Sequence, residues 1–169
     1  MIISLTGFMG CGKSSVGREL SKLLCCPFMD LDDVIQERDG RKITDIFAEN
    51  GEAVFRQMEL DALQKITVQD GTMILALGGG TLMTQGCAEI VHERTTCIYL
   101  RADIGTLINH LEGETEGRPM LKGESLRARI QELMDLRSAT YENTAHIIID
   151  TDGKSIEAIA SEIASTILN

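Results

Sequence analysis

Tryptophan is absent from this 169-residue chain, and tyrosine and phenylalanine contribute two and four residues. Proline is nearly absent as well, with only Pro27 and Pro119, so the 16 glycines carry most of the punctuation. No internal repeat, low-complexity tract or linker composition interrupts the chain, which excludes a solenoid or a string of small modules. No apolar run approaches the roughly 18 residues of a membrane span. Basic residues are outnumbered, 16 Lys and Arg against 26 Asp and Glu. A net charge of −10 argues against broad binding to nucleic acid or to an anionic membrane, both of which need a basic surface. The five cysteines (Cys11, Cys25, Cys26, Cys87 and Cys97) are odd in number and two are adjacent, so they form no disulfide framework. No C-x-x-C pair occurs, and His92, His110 and His146 are scattered, which argues against a metal cage. The expectation is one cytoplasmic domain covering 1–169, with no leader and with reduced thiols.

What is present begins at once. Ile2-Ile3-Ser4-Leu5 reads as a short buried strand, and Gly7-Phe8-Met9-Gly10-Cys11-Gly12-Lys13-Ser14 follows as a complete G-x-x-x-x-G-K-[ST] loop. A helical stretch with Val16, Leu20, Leu23 and Leu24 on one face comes next. Strand, glycine loop and helix together form the context in which this motif cradles phosphate. Backbone N–H groups and the helix N-terminus attract anionic oxygens. Lys13 would reach the β- and γ-phosphates, and the Ser14 hydroxyl would sit on Mg²⁺. A nucleoside triphosphate is the expected ligand.

Strand-like runs recur at Ile2–Thr6, Pro27–Asp30, Met73–Leu77, Thr96–Leu100 and His146–Asp150. Helical patterns fall at about 13–25, 31–39, 44–50, 52–67, 85–93, 103–112, 125–142 and 155–168. Apolar strands alternating with helices predict an α/β fold, a five-stranded parallel sheet covered on both faces. Such sheets bind ligands at the carboxyl ends of their strands.

Two features sit at those ends, and three more lie in the helices and the loop between them. Asp30-Leu31-Asp32-Asp33 follows the second run; its carboxylates suit metal or proton work, or helix capping, for which Asp33 is the best pure candidate. Gly78-Gly79-Gly80 follows the third, where three glycines allow backbone to approach an anion that any side chain would obstruct. In the helix near 125–142, Arg137 falls in the middle of a stripe made by Leu126, Ile130, Leu133, Met134 and Tyr141. A charge there needs a partner: an anionic ligand, an internal salt bridge, or solvent reached along its stem. In the helix near 52–67, Glu59 interrupts the stripe of Phe55, Ala62, Leu63 and Ile66, with Arg56 three residues away on the flank. That pair is either a routine helical ion pair or a device aiming Arg56 at a ligand. Residues 113–124 lack periodicity and centre on Arg118-Pro119, a pattern expected of a closing lid.

In this order and spacing, the pieces resemble the shikimate kinases of the nucleoside-monophosphate-kinase branch of P-loop folds, over residues 2 to about 154. The shared residues include Gly7–Ser14, Phe28-Met29-Asp30-Leu31-Asp32, Ile46-Phe47, Gly51-Glu52, Phe55-Arg56 with Glu59, Leu77–Gly80, Arg118-Pro119, and Arg137 with Tyr141. The resemblance implies a three-layer fold with strand order 2-3-1-4-5, a lid at about 112–124 and a substrate-binding helical region at about 31–62. It implies phosphorylation of the 3-hydroxyl of shikimate by ATP with Mg²⁺, a step of aromatic amino acid biosynthesis, by a monomer. Lys13 and the amides of Gly10, Cys11, Gly12, Ser14 and Ser15 would hold the ATP phosphates, and Ser14 with Asp30 the metal. Asp32 would grip the acceptor hydroxyl. Arg56 and Arg137 would clasp the substrate carboxylate, with Gly78, Gly79 and Gly80 beside it and Glu59 holding Arg56. Arg118 would offset charge on the transferring phosphoryl group. Asn109 and His110 stand where many members place an arginine against the adenine, so Lys154 is the implied basic contact there.

Rival readings are a gluconate or nucleotide kinase on the same fold, a GTPase switch, and an ATP-binding regulatory module. Ile147–Gly153 does match an apolar D-x-x-G string, but it lies beyond the fifth strand and no N-K-x-D signature accompanies it.

Overall fold

The structure, a computed structural model, describes residues 1–111 and 126–169. β1 (Ile2–Thr6) is buried along its whole length, Ser4 and Thr6 included. Four further strands, β2 (Phe28–Asp30), β3 (Met73–Ala76), β4 (Thr96–Arg101) and β5 (Ile147–Asp150), join it in the order β2-β3-β1-β4-β5. Every pairing is parallel. The period-two alternation of strands divides the core in two. Ile3, Leu5, Ile74, Ile98, Leu100 and Ile149 face one cluster, while Ile2, Met73, Leu75, Leu77, Cys97 and Tyr99 face the other.

Helices cover both faces. α1 (Lys13–Leu24), α6 (Ile104–Leu111) and α8 (Ile156–Leu168) supply Val16, Leu20, Leu107, Leu111, Ile159 and Ile163 to the first cluster. α2 (Leu31–Asp39), α3 (Ile43–Asn50), α4 (Glu52–Ile66) and α5 (Cys87–Arg94) supply Leu31, Ile35, Ile46, Phe55, Leu63 and Val91 to the second. α7 (Leu126–Thr144) serves both, with Ile130 and Leu133 in one and Tyr141 in the other. Each expected strand and helix is present, with ends within two residues of the expected ones, and the strand order is the one the resemblance implied. A 3-10 turn at Thr81–Met83 is additional. No helix among the described residues is long and apolar enough to cross a membrane.

Two local expectations need correction. Leu23 was placed on the buried face of α1 but is 48% exposed, and Gly17 is buried instead. Asp33 was the favoured cap of α2, yet Asp30 holds that position, its side chain accepting the N–H groups of Asp32 and Asp33. The extended backbone of Asp30 (φ −107°, ψ 125°) lets its carboxylate fold over the first turn, which Asp33, already inside the helix, cannot do.

Gly17 explains how α1 can lie so close to the sheet. A methyl group there would stand 2.4 Å from Cε2 of Phe28 on β2 and 3.3 Å from Leu5 Cδ1. Alanine would gain about 1 kcal/mol of helix propensity, but overpacking against a ring and a central strand costs about 1–3 kcal/mol. Gly17→Ala should therefore be net destabilising by about 1 kcal/mol, read by thermal unfolding as a Tm lowered by about 3 °C.

Candidate active site

The loop from Gly7 to Ser14 runs from the end of β1 into α1, and it folds as its glycines require. Gly10 and Gly12 hold φ of +83° and +91°. A methyl group at Gly10 would press to 2.8 Å from Leu111 Cγ. Lys13 arches back over the loop, its ammonium donating to the carbonyl oxygens of Gly7 (2.9 Å) and Phe8 (3.2 Å). The Cys11 N–H donates to Phe8 O at 3.2 Å, closing a turn, and the Cys11 side chain is buried. The His110 ring nitrogen Nδ1 lies 2.7 Å from Gly10 O and ties the end of α6 to the same loop.

Beside this loop stands the acidic end of β2. Ser14 Oγ donates to Asp30 Oδ2 at 2.8 Å, while Oδ1 accepts the N–H of Asp32 at 2.9 Å. One carboxylate thus caps α2 and is held toward the phosphate loop by the same orientation. Among the described residues, no group of three or more His, Cys, Asp or Glu could hold a metal ion. A hydroxyl beside one carboxylate oxygen does suit Mg²⁺, which takes one or two protein oxygens and fills its octahedron with phosphate and water. Asp32 is half-buried, and its carboxyl is pushed up to about 6 by burial first, then by the charges of Asp30 and Glu59; Lys13 works in the opposite sense.

The glycine triplet brings the other expected residues together. A methyl group at Gly78 would meet Asp32 Oδ1 at 3.2 Å; one at Gly79 would meet Arg137 Nη1 at 3.5 Å; one at Gly80 would meet Arg56 Nη2 at 2.8 Å. Three successive residues without side chains therefore pass against three charged groups. The same position at Gly79 is 3.4 Å from the Met9 amide nitrogen, so the triplet also abuts the phosphate loop. Tyr141, buried and one helical turn beyond Arg137, donates its hydroxyl to Gly79 O. Arg137 itself is buried, its guanidinium carbon 5.9 Å from the Phe8 ring centre. Glu59 is 1% exposed and accepts from Arg56 Nη1 at 2.7 Å. Both guanidiniums thus lie against the glycine turn, Arg137 at Gly79 and Arg56 at Gly80, although neither is among the residues that line the cleft.

The cleft these parts enclose has a volume of about 620 Å³ and runs from the loop residues Gly10, Gly12, Lys13, Ser14 and Ser15 past Asp30 and Asp32 to Gly78 and Gly79. Gln36, Ile43, His110 and Ile156 complete its walls. Gln36 Oε1 accepts the Ile43 N–H at 3.0 Å, and neither residue stood out in the sequence, because a polar and an apolar side chain on a short helix-turn segment carry no pattern. Arg56 faces a neighbouring groove with Met83 and Thr84. Lys154 is not among the residues lining the cleft, although Ile156 is, and its ammonium donates to Glu162 on α8 at 2.8 Å. Arg118 and the rest of the expected lid fall outside the described residues.

A phosphate loop with neighbouring carboxylates at the strand ends of a five-stranded parallel sheet defines the class of P-loop kinases. A family model described as shikimate kinase matches residues 9–168. The chain is 37% identical over 163 residues to the shikimate kinase of Dictyoglomus turgidum, covering 95% of this chain and 94% of that one. Against the shikimate kinase of Chlorobaculum tepidum it is 40% identical over 174 residues, covering 98% and 90%. Its fold superposes on the shikimate kinase of Acinetobacter baumannii, solved in complex with shikimate, with a TM-score of 0.93 at 31% identity, covering 99% and 92% of the two chains. The chain belongs to the shikimate kinase family, whose members transfer a phosphoryl group from ATP, with Mg²⁺, to shikimate.

The raised Asp32 carboxyl makes the site sensitive to pH. Its ionised form is the one able to accept a hydroxyl hydrogen, so kcat/KM should climb with pH through a limb centred near 6. Asp32→Asn should lower kcat by about 10²–10⁴-fold and abolish the limb, while nucleotide binding persists. Because the folded pKa of about 6 lies above the unfolded one, the group favours folding at low pH and that advantage disappears as pH rises through 6. At pH 8 the asparagine variant should consequently be the more stable by about 2 kcal/mol, measured by thermal or urea unfolding.

Proposed function

We propose that this single cleft works as a shikimate kinase with the following division of labour. The Gly10–Ser15 loop and Lys13 receive the phosphates of ATP. Ser14 and Asp30 hold Mg²⁺, whose charge neutralises developing negative charge on the phosphoryl oxygens. Asp32 aims the 3-hydroxyl of shikimate and accepts its hydrogen. Arg137 and Arg56 receive the substrate carboxylate across the Gly78–Gly80 turn, and Glu59 secures Arg56. The resemblance adds Arg118 and the 112–124 segment as a closing lid, and Lys154 near the adenine. A monomer completes the reading, and five free cysteines support a reducing cytoplasm.

One observation carries the assignment: Gly78, Gly79 and Gly80 bear in turn on Asp32, Arg137 and Arg56. A small acid with an alcohol uses all three at once, the hydroxyl against Asp32 and the carboxylate between two guanidiniums. Planar guanidinium forks suit a carboxylate better than lysines would. The turn that carries no side chains leaves room for the ring.

Substrate profiling with ATP and Mg²⁺ tests the reading. ADP release should depend on shikimate and be negligible with gluconate, with a nucleoside monophosphate or with no acceptor. Arg137→Ala should reduce kcat/KM for shikimate by about 10²-fold or more, the cost of removing one buried charged partner, with ATP affinity retained. Unchanged shikimate kinetics would take Arg137 out of the site.

A further inference from the structure

We infer that Thr81 and Thr84 are positioning residues that keep one edge of Arg56 available to the substrate carboxylate. This rests on Arg56 being a carboxylate receiver, as proposed above. Glu59 sits within the apolar stripe of α4 and is 1% exposed, a place where an ionised carboxylate must find donors. Arg56 is the nearest cation, three residues away on the same helix. Left alone together, a guanidinium and a carboxylate favour two parallel hydrogen bonds. Such a fork would commit both Nη atoms of Arg56 to Glu59.

The structure shows a different arrangement. Glu59 Oε2 accepts from the Thr81 hydroxyl at 2.7 Å, and Oε1 accepts from the Thr84 hydroxyl at 2.9 Å as well as from Arg56 Nη1 at 2.7 Å. Thr81 occupies Oε2 and Thr84 shares Oε1, and Arg56 bonds to the carboxylate through Nη1. Nη2 is left against Gly80, where a methyl group would be 2.8 Å away. Nη2 donates to Glu52 Oε1 at 3.3 Å and Nε to the same oxygen at 3.4 Å, long bonds to a side chain that is 64% exposed and so competes weakly with a substrate carboxylate.

The threonines also connect this arrangement to the turn. Thr81 is fully buried and its N–H donates to Gly78 O at 3.2 Å; Met83 N–H donates to Gly80 O at 3.1 Å; Thr84 N–H donates to Thr81 O at 3.1 Å. One 3-10 turn therefore carries both hydroxyls and the glycine backbone, and Glu59 locks that turn to α4. The separation between Arg56 and the glycine turn is set by Glu59, Thr81 and Thr84, none of which lines the cleft beside the phosphate loop.

Steady-state kinetics of Thr81→Val, Thr84→Val and Thr81→Ser in the full chain test this. Losing a hydroxyl bonded to a buried charged group should raise KM for shikimate by about tenfold in Thr81→Val and by about threefold in Thr84→Val. The values of kcat and of KM for ATP should stay within about twofold, and Thr81→Ser should restore wild-type behaviour. Added to Arg56→Ala, Thr81→Val should change KM for shikimate by less than about twofold, because residues acting through one partner are non-additive. A folded Thr81→Val protein with unchanged KM for shikimate overturns the inference, as does a rise shared equally with ATP. If Thr81→Val does not fold, Thr84→Val decides by the same criteria, since its hydroxyl is only partly buried. The two readings fail separately. Arg56→Ala with normal shikimate KM defeats the assignment of Arg56, whereas a raised KM there with silent threonine variants defeats only the role of the threonines.

Discussion

The site depends on how the parallel strands are registered. Leu5 on β1 pairs with Ala76 on β3, and Ala76 pairs with Asp30 on β2, so three adjacent strands end at one level. The ladder continues one bond further, with Leu77 N–H donating to Leu5 O at 3.0 Å. Immediately beyond that level come the phosphate loop, the glycine triplet and the first turn of α2. Each follows its strand by a residue or two, so their mutual spacing is inherited from hydrogen-bonded strands about 4.8 Å apart rather than set by loop contacts. A register slip of one residue would move every one of these groups and turn the strands inside out. For that reason the least polar part of the molecule determines where its most polar part is assembled.

Charge is then handled locally. The chain as a whole is strongly negative, yet its ligands are anions, so the general field opposes binding and individual cations must overcome it. Lys13 is held by loop carbonyls, Arg137 lies buried against the Phe8 ring, and Arg56 is anchored by a buried carboxylate. Burial, with the charges of Asp30 and Glu59, lifts the Asp32 carboxyl to about 6 against the pull of Lys13. Burying Glu59 and Arg137 and raising Asp32 all cost folding energy. The aliphatic clusters on the two faces of the sheet offset this strain, which function alone explains.

Much of this was legible in the chain itself. β1 and the helix after Ser14 were readable because a continuous apolar run and a 3.6-residue stripe are unlike any loop, and the motif between them fits no other context. Arg137 and Glu59 stood out because each interrupts an apolar stripe, and the structure buries both. The helix cap was misjudged because capping depends on where the chain leaves its strand: Asp30, Asp32 and Asp33 are equivalent as residue types, and only the extended backbone at Asp30 selects it. The burial of Gly17 carried no signal for a similar reason, since the approach of Phe28, from a different element, decides which residue of α1 must be small. Gln36, Ile43, Thr81 and Thr84 carried no periodic signal at all.

Local sequence therefore sufficed to specify the alternation of strands and helices, the phosphate-binding loop and the identity of the misfit charges. These follow from short-range periodicity and backbone chemistry within a dozen or so residues. The family resemblance, which covers nearly the whole chain, extended that to the strand order. Which groups meet was settled in three dimensions. Glu59 reaches Thr81 across 22 residues, and Tyr141 reaches Gly79 across 62. Such pairings depend on sheet register and on helices docked against it, and no window of sequence contains both partners.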